Sequence, residues 1–231
     1  MTPVQRFQAV LFDCDGVLVD SEVITNGVLR GMLHELGWPI SQAECVERFI
    51  GRALTDEFDV IEEHTGVRPD GAWLLEFRAR RNAALAVDLE PIPGAVAAVE
   101  AVAAAFDGRI ACASGADRAK IELQLSKIGL VGAFGEHVYS GMETPRSKPA
   151  PDVYLAAAAG LGVDPRECAV VEDTVAGVSA GVAAGATVFA YAPSSLAATP
   201  PEALRAAGAA RVFTDMAELP ALLGTRAPRH P

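Results

Sequence analysis

Ala9-Val10-Leu11-Phe12-Asp13-Cys14-Asp15-Gly16 is the stretch on which the fold turns. Four apolar residues in a row, ended by an acidic one, read as a short strand buried on both faces, the kind a parallel sheet uses. Two aspartates follow, two positions apart. In extended backbone, residues i and i+2 share a face, so Asp13 and Asp15 are expected on one side. Cys14 is then turned the other way into the core, and the chain turns at Gly16.

Working outward, the same kind of apolar run recurs at 109–113 (RIACA), 137–139, 168–171 (CAVV), 187–191 (TVFAY) and 211–214. Helical patterns fill the gaps at 117–128, 151–161 and 174–184, with Asp117 as an N-cap and Gly129, Gly162 and Gly185 at helix ends. Buried strands alternating with helices predict an α/β core, a doubly wound, Rossmann-like parallel sheet covered on both faces. One segment breaks the alternation. From Ser21 to Asp88 the periodicity is helical throughout, at 22–36, 42–49, 55–64 and 70–87, with Asp20-Ser21 capping the first helix. Glu90-Pro91-Ile92-Pro93-Gly94 reads as the return hinge. The expected organisation is a core of residues 1–20 and 89–231 with an inserted all-α cap domain over 21–88; helices packed on the side of the sheet are the alternative. Residues 225–231 read as a frayed tail.

Composition limits the function. Among 231 residues, 30 Asp plus Glu face 19 Lys plus Arg, a formal net charge of −11. With no basic block, neither nucleic acid nor an anionic membrane is an expected partner. No stretch approaches the roughly 18 uninterrupted apolar residues of a membrane span, and the N-terminus does not read as a secretory signal. A cytoplasmic protein, monomeric or weakly dimeric, is the expectation. The cysteines, Cys14, Cys45, Cys112 and Cys168, are widely spaced with no C-x-x-C pair, which argues against a disulfide or zinc role; three of them lie in short apolar runs and read as buried free thiols, and the four histidines are scattered and read as structural or surface residues.

Sites in open α/β sheets form beyond the carboxyl ends of the strands. Those positions carry Asp13 and Asp15 after the first strand, Ser114 after the second, and Glu172 and Asp173 after the fourth; Lys148 sits in a Ser-Lys-Pro loop. Converging carboxylates repel one another unless a cation joins them. An all-oxygen donor set favours Mg²⁺ over zinc. A hydroxyl, a lysine and the amides of a turn beside it form a phosphate cradle. Together these residue types point to phosphoryl transfer.

In this order, residues 12–21 (FDCDGVLVDS), Ser114, Lys148 in Ser-Lys-Pro-Ala-Pro-Asp and Val171-Glu172-Asp173-Thr174 resemble the four signatures of the haloacid dehalogenase superfamily. The resemblance spans nearly the whole chain and rests on the ordered set, not on D-x-D-G alone. It implies a helical-cap phosphatase of subfamily I. Asp13 would be the nucleophile that forms an aspartyl-phosphate, and Asp15 the acid–base group. Mg²⁺ would be held by Asp13, the main-chain carbonyl of Asp15 and Asp173, with Glu172 contributing through water. Ser114, the amide of Gly115 and Lys148 would bind the phosphoryl oxygens.

Within the superfamily, the second acid, Asp15, argues against dehalogenation. The cap contains no lysine, which excludes the Schiff base that phosphonate hydrolysis needs. A β-phosphoglucomutase-like enzyme has a histidine about ten residues after the acid–base aspartate; here that position is Thr25, and the expected cap arginine falls on Leu54. The mutase is therefore the second reading. A non-catalytic receiver-like module is the third, since receivers place an acidic pair and the phosphorylated aspartate differently. The chain most resembles bacterial sugar-phosphate phosphatases of the 6-phosphogluconate type. The implied substrate is a small phosphorylated metabolite, met in the cap by Arg52 and by Arg78 from the Arg78, Arg80, Arg81 cluster. Of the three lysines, Lys120, Lys127 and Lys148, only Lys148 lies in a motif that could meet a phosphoryl group.

Overall fold

A computed structural model describes residues 7–49, 54–193 and 198–224. Six strands form one parallel sheet: β1 (Ala9–Phe12), β2 (Ile110–Ser114), β3 (Val138–Ser140), β4 (Cys168–Glu172), β5 (Thr187–Tyr191) and β6 (Arg211–Phe213). Their spatial order is β3-β2-β1-β4-β5-β6. Pairing is parallel at every step, with Phe12 beside both Cys112 and Val171. The central strands β1, β2 and β4 are buried along their full length, which is why they read as unbroken apolar runs rather than alternating ones. The doubly wound architecture read from the sequence is the one observed.

Helices α5 (Ala95–Ala105), α6 (Arg118–Lys127), α7 (Val131–Phe134), α8 (Asp152–Gly160), α9 (Val175–Ala183), α10 (Pro201–Ala206) and α11 (Leu219–Leu222) belong to this unit. On one face, Val153, Tyr154, Ala157 and Ala158 of α8 and Val178 and Ala180 of α9 pack against Ala9, Leu11, Ala111, Ala113, Val170 and Val188. On the other, Phe12 meets Phe134 of α7 edge to face, centroids 6.0 Å apart. Small residues let α9 lie close to the sheet. A Cβ added at Gly181 would stand 2.8 Å from Val188 Cγ2 and 3.2 Å from Val170 Cγ1.

The chain divides into two compact units, one formed by the segments up to Val19 and from Pro91 onward, the other by Asp20–Glu90. The second unit contains α1 (Glu22–Glu35), α2 (Gln42–Phe49), a 3-10 turn (Leu54–Glu57), α3 (Phe58–Thr65) and α4 (Gly71–Asp88). It has its own core of Leu29, Met32, Leu33, Ile40, Cys45, Phe49, Ile61 and Phe77. His64 stacks on Trp38 with centroids 4.0 Å apart, a structural role. Ser21 stands at the N-cap of α1, but its side chain makes no capping hydrogen bond and its backbone is already helical, so the expected cap is not formed there. Asp70, by contrast, caps α4 through Trp73 N at 2.8 Å.

The connecting segments pair antiparallel. Val19 bridges Pro91, and Ile92 N donates to Leu18 O at 2.9 Å. Among the described residues no helix is long and apolar enough to cross a membrane. All four cysteines are buried and free.

Two glycine substitutions separate packing from propensity. Gly181→Ala should destabilise by about 1–3 kcal/mol, because the added methyl overpacks a helix–sheet contact. Gly31→Ala, at an exposed position of α1 with nothing within 4 Å of the new Cβ, should stabilise by about 0.5–1 kcal/mol. Urea denaturation of both variants measures the contrast.

Candidate active site

Strand β1 has β2 on one side and β4 on the other, so the sheet changes winding direction beside it. The carboxyl ends of these three strands deliver Asp13, Ser114 and Glu172 to one rim, where such folds place their sites.

Glu172 organises this rim. It has no exposed surface, and both of its carboxylate oxygens are occupied. Oε1 accepts from Lys148 Nζ at 2.7 Å and from Tyr154 OH at 2.8 Å. Oε2 accepts from Asp173 N at 2.9 Å, Thr174 N at 3.1 Å and Thr174 Oγ1 at 3.1 Å. Thr174 also caps α9, accepting from Gly177 N at 3.0 Å. A Cβ at Gly177 would collide with the Glu172 carboxylate, so this glycine serves the acid as well as helix packing. Burial alone would raise the Glu172 carboxyl, but Lys148 and the hydrogen bonds from Lys148, Tyr154 and Thr174 outweigh it and hold the group below the usual carboxylate range.

Lys148 also donates to Asp13 Oδ1 at 2.8 Å and to Ala113 O at 3.0 Å, and its ammonium lies 4.7 Å from the centroid of the Tyr154 ring. Burial pulls the lysine down, yet the Asp13 and Glu172 carboxylates more than compensate and keep it well above its ordinary value. Asp13 is the weaker competitor for this cation. Burial raises it, Lys148 lowers it, and the charges of Glu172 and Asp15 raise it again, leaving it at about 7. Ligand oxygens of Asp13, Glu172 and Asp173 lie within 4.8 Å of one another. Lys148 pairs with two of these three converging carboxylates, and the all-oxygen cluster could hold a metal ion. Gly16, at φ +74, sits so close to Asp173 that a Cβ there would approach its Cγ to 2.7 Å; the turn needs glycine on both counts.

Ser114 is buried, and its Oγ accepts from Ala116 N at 3.2 Å; Gly115 beside it is exposed. Ser140, at the end of β3, braces the same loop by donating to Ala116 O at 2.6 Å, a contact with no motif to signal it.

Asp15 takes partners that the sequence reading did not name. Strand β1 ends at Phe12, although Asp13 N still donates to Val171 O at 2.9 Å, and the chain turns from Cys14, whose carbonyl accepts from Leu18 N and Val19 N. Asp15 bonds a different lysine. Lys120 Nζ lies 2.8 Å from both Oδ1 and Oδ2, and Gln124 Nε2 donates to Oδ1 at 2.7 Å. Lys148 is thus one of two lysines at the rim. The missed signal was on α6, where Lys120 and Gln124 interrupt the buried Ile121–Leu125 stripe. Cys14 is buried as expected, its Sγ 3.3 Å from Gln124 Oε1. A hydrogen bond with Cys112, together with burial, pushes its thiol well above the ordinary range, so it stays neutral.

Of the arginines expected to meet substrate, the described ones are on the helical unit. Arg52 lies outside the described residues. Arg78 is half-buried on α4. Arg80 is exposed and paired with Glu35 and Glu76, at 2.6 and 2.7 Å. Arg81 is buried beside Phe77 and bonded to Asn82.

The chain is 32% identical over 189 residues to 6-phosphogluconate phosphatase of Escherichia coli (strain K12), covering 80% of this chain and 83% of that one. It is 29% identical to hexitol phosphatase B of the same organism, with 80% and 83% covered. A solved hydrolase of Deinococcus radiodurans R1, with bound phosphate and sodium, shares 37% identity, a TM-score of 0.77, and 95% and 96% coverage. The family model for haloacid dehalogenase-like hydrolases matches residues 7–185, and the chain belongs to that family.

Proposed function

We propose that this protein is a Mg²⁺-dependent phosphomonoester hydrolase that acts on a small phosphorylated metabolite, a sugar or sugar-acid phosphate, through an aspartyl-phosphate on Asp13. The observation that carries the reading is Lys148, bonded at once to Asp13 and Glu172 beside the Asp173 carboxylate. A buried cation next to a carboxylate at the open end of the sheet suits a phosphoryl group whose charge must be met as it transfers. The phosphate held by the Deinococcus relative and the names of the two phosphatases support the substrate class.

In the proposed reaction an Asp13 oxygen bonds to phosphorus as the phosphorus–ester oxygen bond breaks. The departing oxygen takes a proton from Asp15 and leaves as an alcohol. Asp15, now a carboxylate, takes a proton from water as the water oxygen bonds to phosphorus. The bond between phosphorus and Asp13 then breaks, releasing inorganic phosphate. Ser114, the Gly115 amide and Lys148 would bind the phosphoryl oxygens. The donor set is all oxygen, which fits Mg²⁺ held by Asp13, Asp173 and the Asp15 carbonyl. Glu172 would act through water, since its own oxygens already accept five hydrogen bonds. Bound there, Mg²⁺ would supply positive charge beside the transferring group. Arg78, and Arg52, are proposed contacts for the rest of the substrate.

Wild type should hydrolyse p-nitrophenyl phosphate with Mg²⁺ and lose the activity in EDTA, and Asp13→Asn should lower kcat at least about a thousandfold. A phosphate-release panel of phosphorylated metabolites then ranks substrates. Conversion of glucose 1-phosphate to glucose 6-phosphate without free phosphate would instead identify the mutase, and no Mg²⁺-dependent turnover on any ester would overturn both.

Metal binding should also depend on pH. The Asp13 carboxyl is raised from 3.8 to about 7, so between those values the folded state keeps a proton that the unfolded chain has released. Stability without metal therefore falls as pH rises through that window. Mg²⁺ competes with the same proton. The thermal shift given by millimolar Mg²⁺ should be several degrees larger at pH 8 than at pH 5, and Asp13→Asn should remove most of that difference.

A further inference from the structure

The contacts of Asp15 define a second device at the rim. Lys120 and Gln124 stand one helical turn apart on α6, so their side chains share a face. The start of that helix is fixed by Asp117, whose Oδ1 accepts from Lys120 N at 3.1 Å. Lys120 reaches both oxygens of Asp15, with the lysine side chain 9% exposed and that of Asp15 24% exposed. A freely solvated pair would be worth little; here the long lysine side chain is ordered by burial before it meets its partner. Gln124 is wholly buried, and its orientation is set at both ends. Its Oε1 faces the Cys14 thiol and its Nε2 faces Asp15 Oδ1. Three donor contacts from one helix face therefore fix the plane of one carboxylate.

We propose that Lys120, together with Gln124, is a positioning residue that orients the Asp15 carboxyl group, which must have taken up a proton before the ester oxygen departs, for transfer of that proton to the leaving group. The inference rests on the reading of Asp15 as the acid–base group. Lys120 itself is assigned no contact with substrate. Its contribution is geometric, and catalytic geometry is sensitive to small displacements of a group.

The test uses two esters of nearly the same shape, p-nitrophenyl phosphate and phenyl phosphate, which differ in how much the departing oxygen needs a proton. The ratio of kcat/KM for phenyl to p-nitrophenyl ester reports proton donation in the first transfer, and a lower folded fraction changes both terms equally. Asp15→Asn should lower this ratio about tenfold or more. Lys120→Met should lower it about three- to fivefold with KM little changed, and Gln124→Leu should shift it in the same direction, which keeps the test intact should the lysine variant not fold. If Asp15→Asn moves the ratio while neither α6 variant does, positioning is overturned and the acid–base reading stands. If Asp15→Asn leaves the ratio at its wild-type value, the acid–base reading of Asp15 itself fails.

Discussion

A carboxylate with no exposed surface has to be surrounded by donors, and Glu172 sets the terms for everything near it. Five hydrogen bonds reach its two oxygens, from α8, from the Ser-Lys-Pro loop and from its own chain turning into α9. Leaving such a group unpaired in a low-dielectric interior would cost several kcal/mol, so each donor is held in place by the others. Tyr154 is buried with its hydroxyl spent on Glu172, Thr174 divides its hydroxyl between the acid and the helix cap, and Gly177 gives up a side chain to make room. The end of β4, the start of α9 and the Lys148 loop are thereby fixed relative to one another.

The same satisfaction has a consequence for Asp13. Both acids draw on Lys148, but among the described residues further donors reach Glu172 alone, so the ionisation is unevenly shared. Glu172 is held low and Asp13 is lifted to about 7. A proposed nucleophile that is costly to ionise alone is one whose negative charge is best satisfied by an incoming cation, and Asp173 stands within reach to complete such a set. Buried negative charge of this kind opposes stability while preparing the site for its ligands.

Much of this architecture was legible in the chain. The runs at β1 and β5 were readable to the residue, because a buried parallel strand has no alternation to blur its ends. Asp117 and Asp70 announced helix starts, and Glu172, Lys148 and Asp13 stood at strand ends and in a loop, where side chains at an open sheet edge are free to converge. What could not be read was which partner each took. Ser21 looks like a cap in sequence yet makes none. The D-x-D spacing groups the two aspartates, but it does not say that they take different lysines, Asp13 bonding Lys148 and Asp15 bonding Lys120.

Lys120 shows the limit most clearly. Counting lysines made Lys148 the sole motif candidate because a motif is local, whereas the bond from Lys120 to Asp15 joins residues 105 apart in the chain. Buried polar residues on an amphipathic helix carry the missing information. A lysine and a glutamine at i and i+4 beside Ile121 and Leu125 can remain buried only with partners, and the nearest strand end supplies them. Two carboxylates two positions apart would compete for a single lysine. Giving each its own allows one to stay in the metal cluster while the other is held by α6, and that division is what nucleophile and proton donor would require of the same loop.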